Sequence, residues 1–249
     1  LTIVTLGVYR FWATARERRY LWSRSRFVDE RLEWAGTGLE LFIGFVIVLL
    51  LFGGPYFIVS FGAQALIARG YEALGLALLA GAIVIIFYLA GVERFRALRY
   101  RLSRTRWRGI RGGSDDNGFV FGLSYMWKTA VGWIPAGLLI PWSMTSLWNE
   151  RWNAMSFGPY RFVSKADSAP VFLRFLLFYL SPIALVVGGG IAALMGALAG
   201  RGIGGDEGGM IGGMIGIIGM VIALYLGLGL IAVAFYAAFY REVVGKTRW

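Results

Sequence analysis

Long apolar stretches alternate with short basic segments along this chain of 249 residues, and the alternation limits the folds that it can adopt. Of the 25 lysine and arginine residues, 21 fall in four segments, at 10–40, 93–118, 148–168 and 241–249. The stretches between these segments carry almost no charge. Because Lys and Arg beside apolar spans resist translocation, the pattern predicts a multi-pass membrane protein with its basic segments on the cytoplasmic side.

Four stretches have the length and composition of membrane-spanning helices, for which about 20 apolar residues are needed. Residues 39–61 and 73–92 meet this requirement, and a kink is expected at Gly53–Pro55. Residues 171–199 and 209–240 are longer, so they should tilt or project beyond the bilayer.

A fifth apolar stretch, 119–148, has basic segments on both flanks and contains Lys128, Pro135 and Pro141. A single crossing would put those flanks on opposite sides of the membrane, against the positive-inside rule. A re-entrant helical hairpin bent at Trp133–Pro135 would keep them on one side, provided that other protein buries it. The alternative is one tilted helix in which Lys128 snorkels to the interface. The sequence leaves both open.

The basic segments resemble one another, which indicates an internal repeat. Arg19–Phe27 aligns with Arg99–Trp107 without a gap, and Leu147–Phe157 is a weaker copy. The chain stops at Lys246–Trp249, which matches Arg104–Trp107, so a fourth copy begins as the sequence ends.

Each copy predicts a helix end followed by a small β-hairpin. Phe27–Trp34 and Phe157–Val163 alternate in polarity around a turn, which is typical of short antiparallel strands. Isolated hairpins are marginally stable in water, so we expect them to pair with each other or to lie on the bilayer surface.

These patterns predict an all-α polytopic membrane protein, a helical bundle of tandem repeats with short basic cytoplasmic segments that resemble β-hairpins. One membrane domain would occupy 1–249. Its expected parts are a truncated helix with a basic hairpin at 1–38, two spans with a hairpin at 39–118, a re-entrant or single span with a hairpin at 119–168, and two spans with the start of a fourth hairpin at 169–249.

Several of these sequences are similar to a known family. Thr5–Ala13, Arg18–Tyr20 and Ser103–Arg111 resemble the repeated unit of the YjgN family of bacterial inner-membrane proteins, and Pro141-Trp142 matches its Pro-Trp turn. Phe11 replaces the usual proline of that turn in the first copy. The resemblance implies a multi-pass protein of the bacterial inner membrane, in a family whose function is unknown.

Composition removes most enzyme chemistry. The chain has no Cys and no His, so we expect no metal, no cofactor and no catalytic residues. Its net charge of +11 lies beside apolar spans, which favours the phospholipid bilayer and its acidic headgroups over nucleic acid as a partner. A membrane protein partner or a homo-oligomer is a second expectation.

The candidate lipid-binding or partner-binding residues come from the first two basic segments, in which Arg side chains can grip phosphate oxygens. They are Arg24, Arg26, Arg104, Arg106, Trp107, Arg108 and Arg111. On a period-two pattern, Arg104, Arg106 and Arg108 would share one face, with Trp107 on the other. The alternative is that the cluster only orients the protein in the membrane.

Small residues and carboxylates form the other notable groups. A stripe of small residues in the last two spans predicts close helix packing, at Gly189, Ala193, Gly212, Gly216 and Gly219. The carboxylates Asp29, Glu30 and Glu33 lie beside Arg26 and Arg31. Paired acids can do acid–base chemistry, but exposed mixed charge on a hairpin usually forms a solvated face, which is the expectation here.

Together these features predict a non-enzymatic structural or adaptor subunit whose basic segments engage acidic lipid or a protein partner. The alternative is a transporter or lipid-handling protein with a site at the repeat interface. A continuous cavity at membrane depth would favour the alternative, and its expected lining residues are Ser60, Gln64, Ser143, Thr145 and Ser181.

Overall fold

The computed structural model describes residues 5–27 and 29–248. Most of these residues are helical, as the sequence predicts. The helices are α1 (Arg10–Arg24), α2 (Gly38–Val48), α3 (Gly54–Ala68), α4 (Glu72–Arg104), α5 (Phe119–Trp133), α6 (Ile140–Asn153) and α7 (Ala169–Gly245). The strands are β1 (Arg26–Phe27), β2 (Glu30–Arg31), β3 (Glu33–Trp34), β4 (Thr105–Trp107), β5 (Ile110–Gly113), β6 (Ser156–Phe157), β7 (Tyr160–Arg161), β8 (Val163–Ser164) and β9 (Thr247–Arg248).

The chain forms two compact units. The first contains the described residues up to Ala130 together with Glu150–Val163, and the second contains Val131–Asn149 together with Ser164–Arg248. The half of a spanning helix expected on 1–9 is wrong in its described part, because residues 5–9 form turns and α1 begins at Arg10; residues 1–4 lie outside the described residues.

Three helical stretches among the described residues are long and apolar enough to cross a membrane: Gly38–Ala68, Glu72–Arg104 and Ala169–Gly245. The first joins α2 to α3 through a π-helical turn at Leu49–Gly53, where a kink was expected. The amide of Gly54 bonds the carbonyl of Leu49 there. Pro55 has no amide hydrogen, so a wider turn just before it accommodates the ring without breaking the helix.

Residues 119–148 do not form one continuous helix, so the tilted single helix is wrong. The helix α5 ends at Trp133, residues 134–139 form turns, and α6 begins at Ile140. The two arms run antiparallel: in the first unit Ser124 bonds Glu150, and in the second a Cβ on Gly132 would lie 3.1 Å from Ser143. At 15 and 14 residues, each arm is about 22 Å long, shorter than the ~30 Å hydrocarbon core.

The second unit is dominated by α7, which bends back on itself. Gly204 and Gly205 leave helical geometry between the predicted spans 171–199 and 209–240, so these two spans pack as antiparallel arms. An aromatic and aliphatic cluster, including Val171, Phe175, Phe235 and Phe239, joins the two arms at their open end.

Small residues line the contact between the arms of α7. A Cβ on Gly216 would lie 2.6 Å from the Cα of Ala193, Gly212 lies against Gly196, and Gly189 lies against Met220. Gly219 does not belong to this contact, because a Cβ there would meet nothing within 4 Å. Gly219 lies three residues after Gly216, and residues three or four apart share one side of a helix. The spacing of small residues in the sequence therefore does not show which of them face the other arm.

Candidate functional site

Strands from three distant basic segments assemble into one five-stranded antiparallel sheet in the first unit. Its order is β3-β4-β5-β6-β7, while β1 and β2 form a separate hairpin. The sheet therefore joins residues that lie far apart in sequence: Glu33 pairs with Arg106, and Gly112 pairs with Phe157. We name this assembly, the sheet together with the β1-β2 hairpin, the basic sheet.

The three hairpins share one register. Arg26 pairs with Arg31, Arg106 with Arg111, and Ser156 with Arg161, so in each hairpin a residue faces the one five positions later. As a result, two hairpins place two arginines directly opposite one another. Like charges in this position repel and destabilise the strand pair.

Helix ends carry these strands and fix them to each other. The indole nitrogen of Trp22, in α1, donates to the hydroxyl of Thr105 at 2.9 Å, and the amide of Ala35 donates to the carbonyl of Arg104 at 2.8 Å. Trp34 is 5% exposed, lies edge-on to Trp22 and has the guanidinium of Arg18 5.1 Å from its ring centre. This core holds the first two basic segments together.

The expected row of Arg104, Arg106 and Arg108 on one strand face is wrong. Arg104 is the last residue of α4, and its guanidinium bonds the carboxylate of Glu40 at 3.0 Å. Arg108 lies in the turn between β4 and β5 with a φ of +50°, where strand alternation does not apply. Of the three, only Arg106 is in the strand.

Carboxylates of the first basic segment form ion pairs with an arginine of the second basic segment. Arg108 forms ion pairs with Asp29 and with Glu30, and its guanidinium lies 5.0 Å from the ring centre of Trp107. Glu33 faces Arg106 across the strand pair. Asp29 and Glu30 therefore pair with Arg108 while the side chains stay about half exposed, so these carboxylates lie on an exposed face of mixed charge, as expected.

Another group of arginines, all from the first basic segment, has no carboxylate partner among the described residues. An open cavity is lined by Tyr20, Ser23, Arg24, Arg26 and Arg31. Arg24 stacks over the Tyr20 ring at 4.7 Å, and across the part of the chain that the structure describes no carboxylate lies within 4.0 Å of the three guanidinium groups. Arg24 and Arg26 were expected from the sequence, whereas Arg31 was not singled out, although the repeat aligns it with Arg111.

Comparisons with known proteins assign the chain to a family. The family described as "Bacterial protein of unknown function (DUF898)" matches residues 1–249. The chain belongs to this family. The inner membrane protein YjgN of Salmonella typhimurium is 31% identical over 113 residues, which cover 45% of this chain and 26% of that protein. No solved structure matches.

The family and the relative confirm the resemblance predicted from the sequence. With its membrane-length helices, this DUF898 chain is a protein of the bacterial inner membrane. In the match it spans about a quarter of the relative's length.

One charged contact was missed by the sequence analysis. In the first unit, Lys128 on α5 bonds the carboxylate of Glu150 on α6 at 2.6 Å, and the hydroxyl of Ser124 donates to the same oxygen at 2.6 Å. The side chain of Lys128 is 13% exposed, so it is paired within the protein and does not snorkel. No motif links these residues, because they meet only after α5 and α6 fold against each other.

Proposed function

We propose that this protein is a non-enzymatic structural or adaptor component of the inner membrane, whose basic sheet engages acidic lipid headgroups or a protein partner on the cytoplasmic side. One observation carries the proposal: three separate basic segments contribute strands to a single sheet, with arginines of the second and third segments in that sheet, next to the ends of membrane-length helices.

Helix lengths support a position of the sheet at the headgroups. The stretch Gly38–Ala68 has 31 residues and Glu72–Arg104 has 33, or about 46 and 50 Å at 1.5 Å per residue. A bilayer with its headgroup regions is about 40–45 Å thick. The sheet begins where α4 ends, so its arginines are within reach of the headgroup layer.

Strand pairing also supports one shared side for the basic segments. The second and third segments are hydrogen-bonded to each other through β5 and β6, which supports placing both on the same face of the bilayer. The intervening α5–α6 hairpin then enters and leaves the membrane from that face. The positive-inside rule makes this face the cytoplasmic one. The common hairpin register supports tandem repetition of a unit made of helices and a hairpin.

The transporter alternative receives less support. Thr145 and Ser181, two of the hydroxyls expected to line a pathway, are buried and donate to carbonyls of their own helices. Such local bonds satisfy the hydroxyls within the helix and leave them little capacity to bind a solute.

Lipid enrichment around the protein tests the proposal. The full chain is reconstituted in vesicles of neutral lipid with a minor fraction of phosphatidylglycerol, extracted with its surrounding lipid in polymer discs, and analysed for lipid content. We expect phosphatidylglycerol to exceed its bulk fraction, with less excess at high salt or in an Arg106→Gln/Arg111→Gln variant. The proposal would be contradicted if the lipid in the discs had the same composition as the bulk vesicles and if a pull-down with the basic sheet also retained no partner protein.

A further inference from the structure

We infer that the open cavity of Arg24, Arg26 and Arg31 is a discrete binding site for a phosphate monoester. The inference rests on the proposed function and deepens it, since it names the ligand class and the residues that bind it. The first basic segment, which carries fewer arginines than the second, would thereby hold the anion site.

The distribution of carboxylates decides the location. In the second segment, Arg104 pairs with Glu40, Arg108 pairs with Asp29 and Glu30, and Arg106 faces Glu33. Arg104 and Arg108 are thus compensated by protein acids, whereas Arg106 and Arg111 form no ion pair among the described residues but do not line the cavity. The cavity arginines have no such partner among the described residues, so their charge is available to an external anion.

The hairpin register adds a second reason. Arg26 and Arg31 face each other directly, an arrangement that costs stability unless something separates or neutralises the two charges. An anion between them would convert this repulsion into attraction. The fold thus holds two guanidinium groups together in advance of binding.

The third guanidinium is oriented by an aromatic ring. The guanidinium carbon of Arg24 lies 4.7 Å from the ring centre of Tyr20, so the ring holds this cation beside the cavity that both residues line. The hydroxyl of Ser23 donates to the carbonyl of Tyr20, which leaves the three arginines and the Tyr20 hydroxyl as the side-chain donors that line the cavity. Planar arginine forks suit the paired oxygens of a phosphate.

Charge favours a monoester over a diester. Three guanidinium groups give the cavity a formal charge of about +3, since arginine stays protonated. A phosphate monoester carries about −1.5 to −2 near neutral pH, whereas the diester of common phospholipids carries −1. The ligand can be the terminal phosphate of a lipid such as phosphatidic acid, or a soluble phosphate.

Native mass spectrometry of the full chain in neutral detergent tests this site. The probes are short-chain phosphatidic acid, short-chain phosphatidylglycerol and inorganic phosphate. We expect one phosphatidic acid per chain, held at least fivefold more tightly than phosphatidylglycerol. The Arg24→Gln/Arg26→Gln/Arg31→Gln variant should bind it at least tenfold more weakly.

A matched control removes the same charge from positions on α1 that lie outside the cavity. Arg10→Gln/Arg16→Gln/Arg19→Gln changes exposed arginines outside the cavity, and should keep binding within twofold of the unmodified chain. Equal weakening by both triple variants, or equal binding of the two lipids, would overturn the inference. Competition by inorganic phosphate assigns the source: strong competition indicates a soluble ligand and weak competition a lipid, and both agree with the phosphate chemistry.

A lysine variant tests whether the cavity recognises its ligand by arginine geometry or by charge alone. Replacing the three cavity residues with Lys keeps the charge and the fold while removing the arginine forks, and we expect at least threefold weaker binding. A lysine variant with unchanged binding would contradict recognition by arginine geometry.

The two experiments together separate this inference from the proposed function. If phosphatidylglycerol is still enriched around the protein but the cavity binds no phosphate monoester, this inference alone is refuted. If the cavity binds the monoester but no enrichment is found, only the lipid-engaging role of the sheet is refuted.

Discussion

Removing the ammonium group of Lys128 should destabilise the α5–α6 hairpin strongly. The substitution Lys128→Met keeps the length of the side chain and deletes its charge. It leaves the carboxylate of Glu150 partly buried, with only Ser124 as its remaining hydrogen-bond donor among the contacts described. A carboxylate without its counter-ion in such a place is costly because water cannot fully solvate it.

The contact geometry sets the size of the effect. At the 2.6 Å separation of the Lys128 nitrogen and the Glu150 oxygen, the gross attraction is about 6 kcal/mol for an effective dielectric constant of about 20. Breaking a buried pair by removing one partner costs about 3–5 kcal/mol. Because the Glu150 side chain is 32% exposed, we expect a smaller loss, of about 2–3 kcal/mol.

A double variant separates pairing from burial. In Lys128→Met/Glu150→Leu no charge is left without a partner, so the free energy of unfolding should return to within about 1 kcal/mol of the unmodified protein. The two substitutions should therefore be strongly non-additive, as expected for residues in direct contact.

Unfolding by sodium dodecyl sulfate in mixed micelles, followed by tryptophan emission, measures these differences. Asp206→Asn is the control, since that side chain is 99% exposed and lies 3.9 Å from Arg201; we expect a change below about 0.5 kcal/mol. If Lys128→Met changes stability no more than this control, or if the two hairpin substitutions simply add, the ion pair does not hold the hairpin together.

Three other predictions follow from the same contacts. Gly216→Ala should cost about 1–2 kcal/mol because its Cβ would meet the facing helix backbone at 2.6 Å, while Gly219→Ala, in open space, should be neutral or slightly stabilising; the same detergent titration compares them. Trp22→Phe should cost about 1 kcal/mol by deleting the hydrogen bond that its indole donates to the second basic segment, and should shift the midpoint of thermal unfolding accordingly. Cysteines introduced singly at the exposed Asp115 and Lys165 should react with a membrane-impermeant reagent from the same side; reaction from opposite sides would rule out the re-entrant hairpin.

Local sequence patterns predicted the helices and the hairpins well. Apolar length located the spans, and the alignment of Arg19–Phe27 with Arg99–Trp107 located the two helix ends, which the structure has at Arg24 and Arg104. The expected pairing of the first two hairpin regions is confirmed by the contact of β3 with β4. These features depend on residues that are neighbours in sequence.

The chemistry of the arginines could not be predicted in the same way. Whether an arginine is neutralised depends on pairing between distant segments, as for Arg108 with Asp29. The end of α4 decides whether Arg104 belongs to a helix or a strand, and helix boundaries are uncertain by one or two residues. The ion pair of Lys128 with Glu150 likewise required the α5–α6 reversal to be known first.

The pairing of β3 with β4 has a consequence for the order in which the protein folds during synthesis. The first hairpin can close as soon as Arg31 leaves the ribosome, but Glu33 must wait for Arg106. More than 70 residues, including two membrane-length helices, separate them. At roughly 5–20 residues per second, the edge of β3 remains unpaired for about 4–15 seconds. During that time its free N–H and C=O groups can pair with the same strand of a neighbouring nascent chain, so slower elongation after α2 should increase mispaired assemblies.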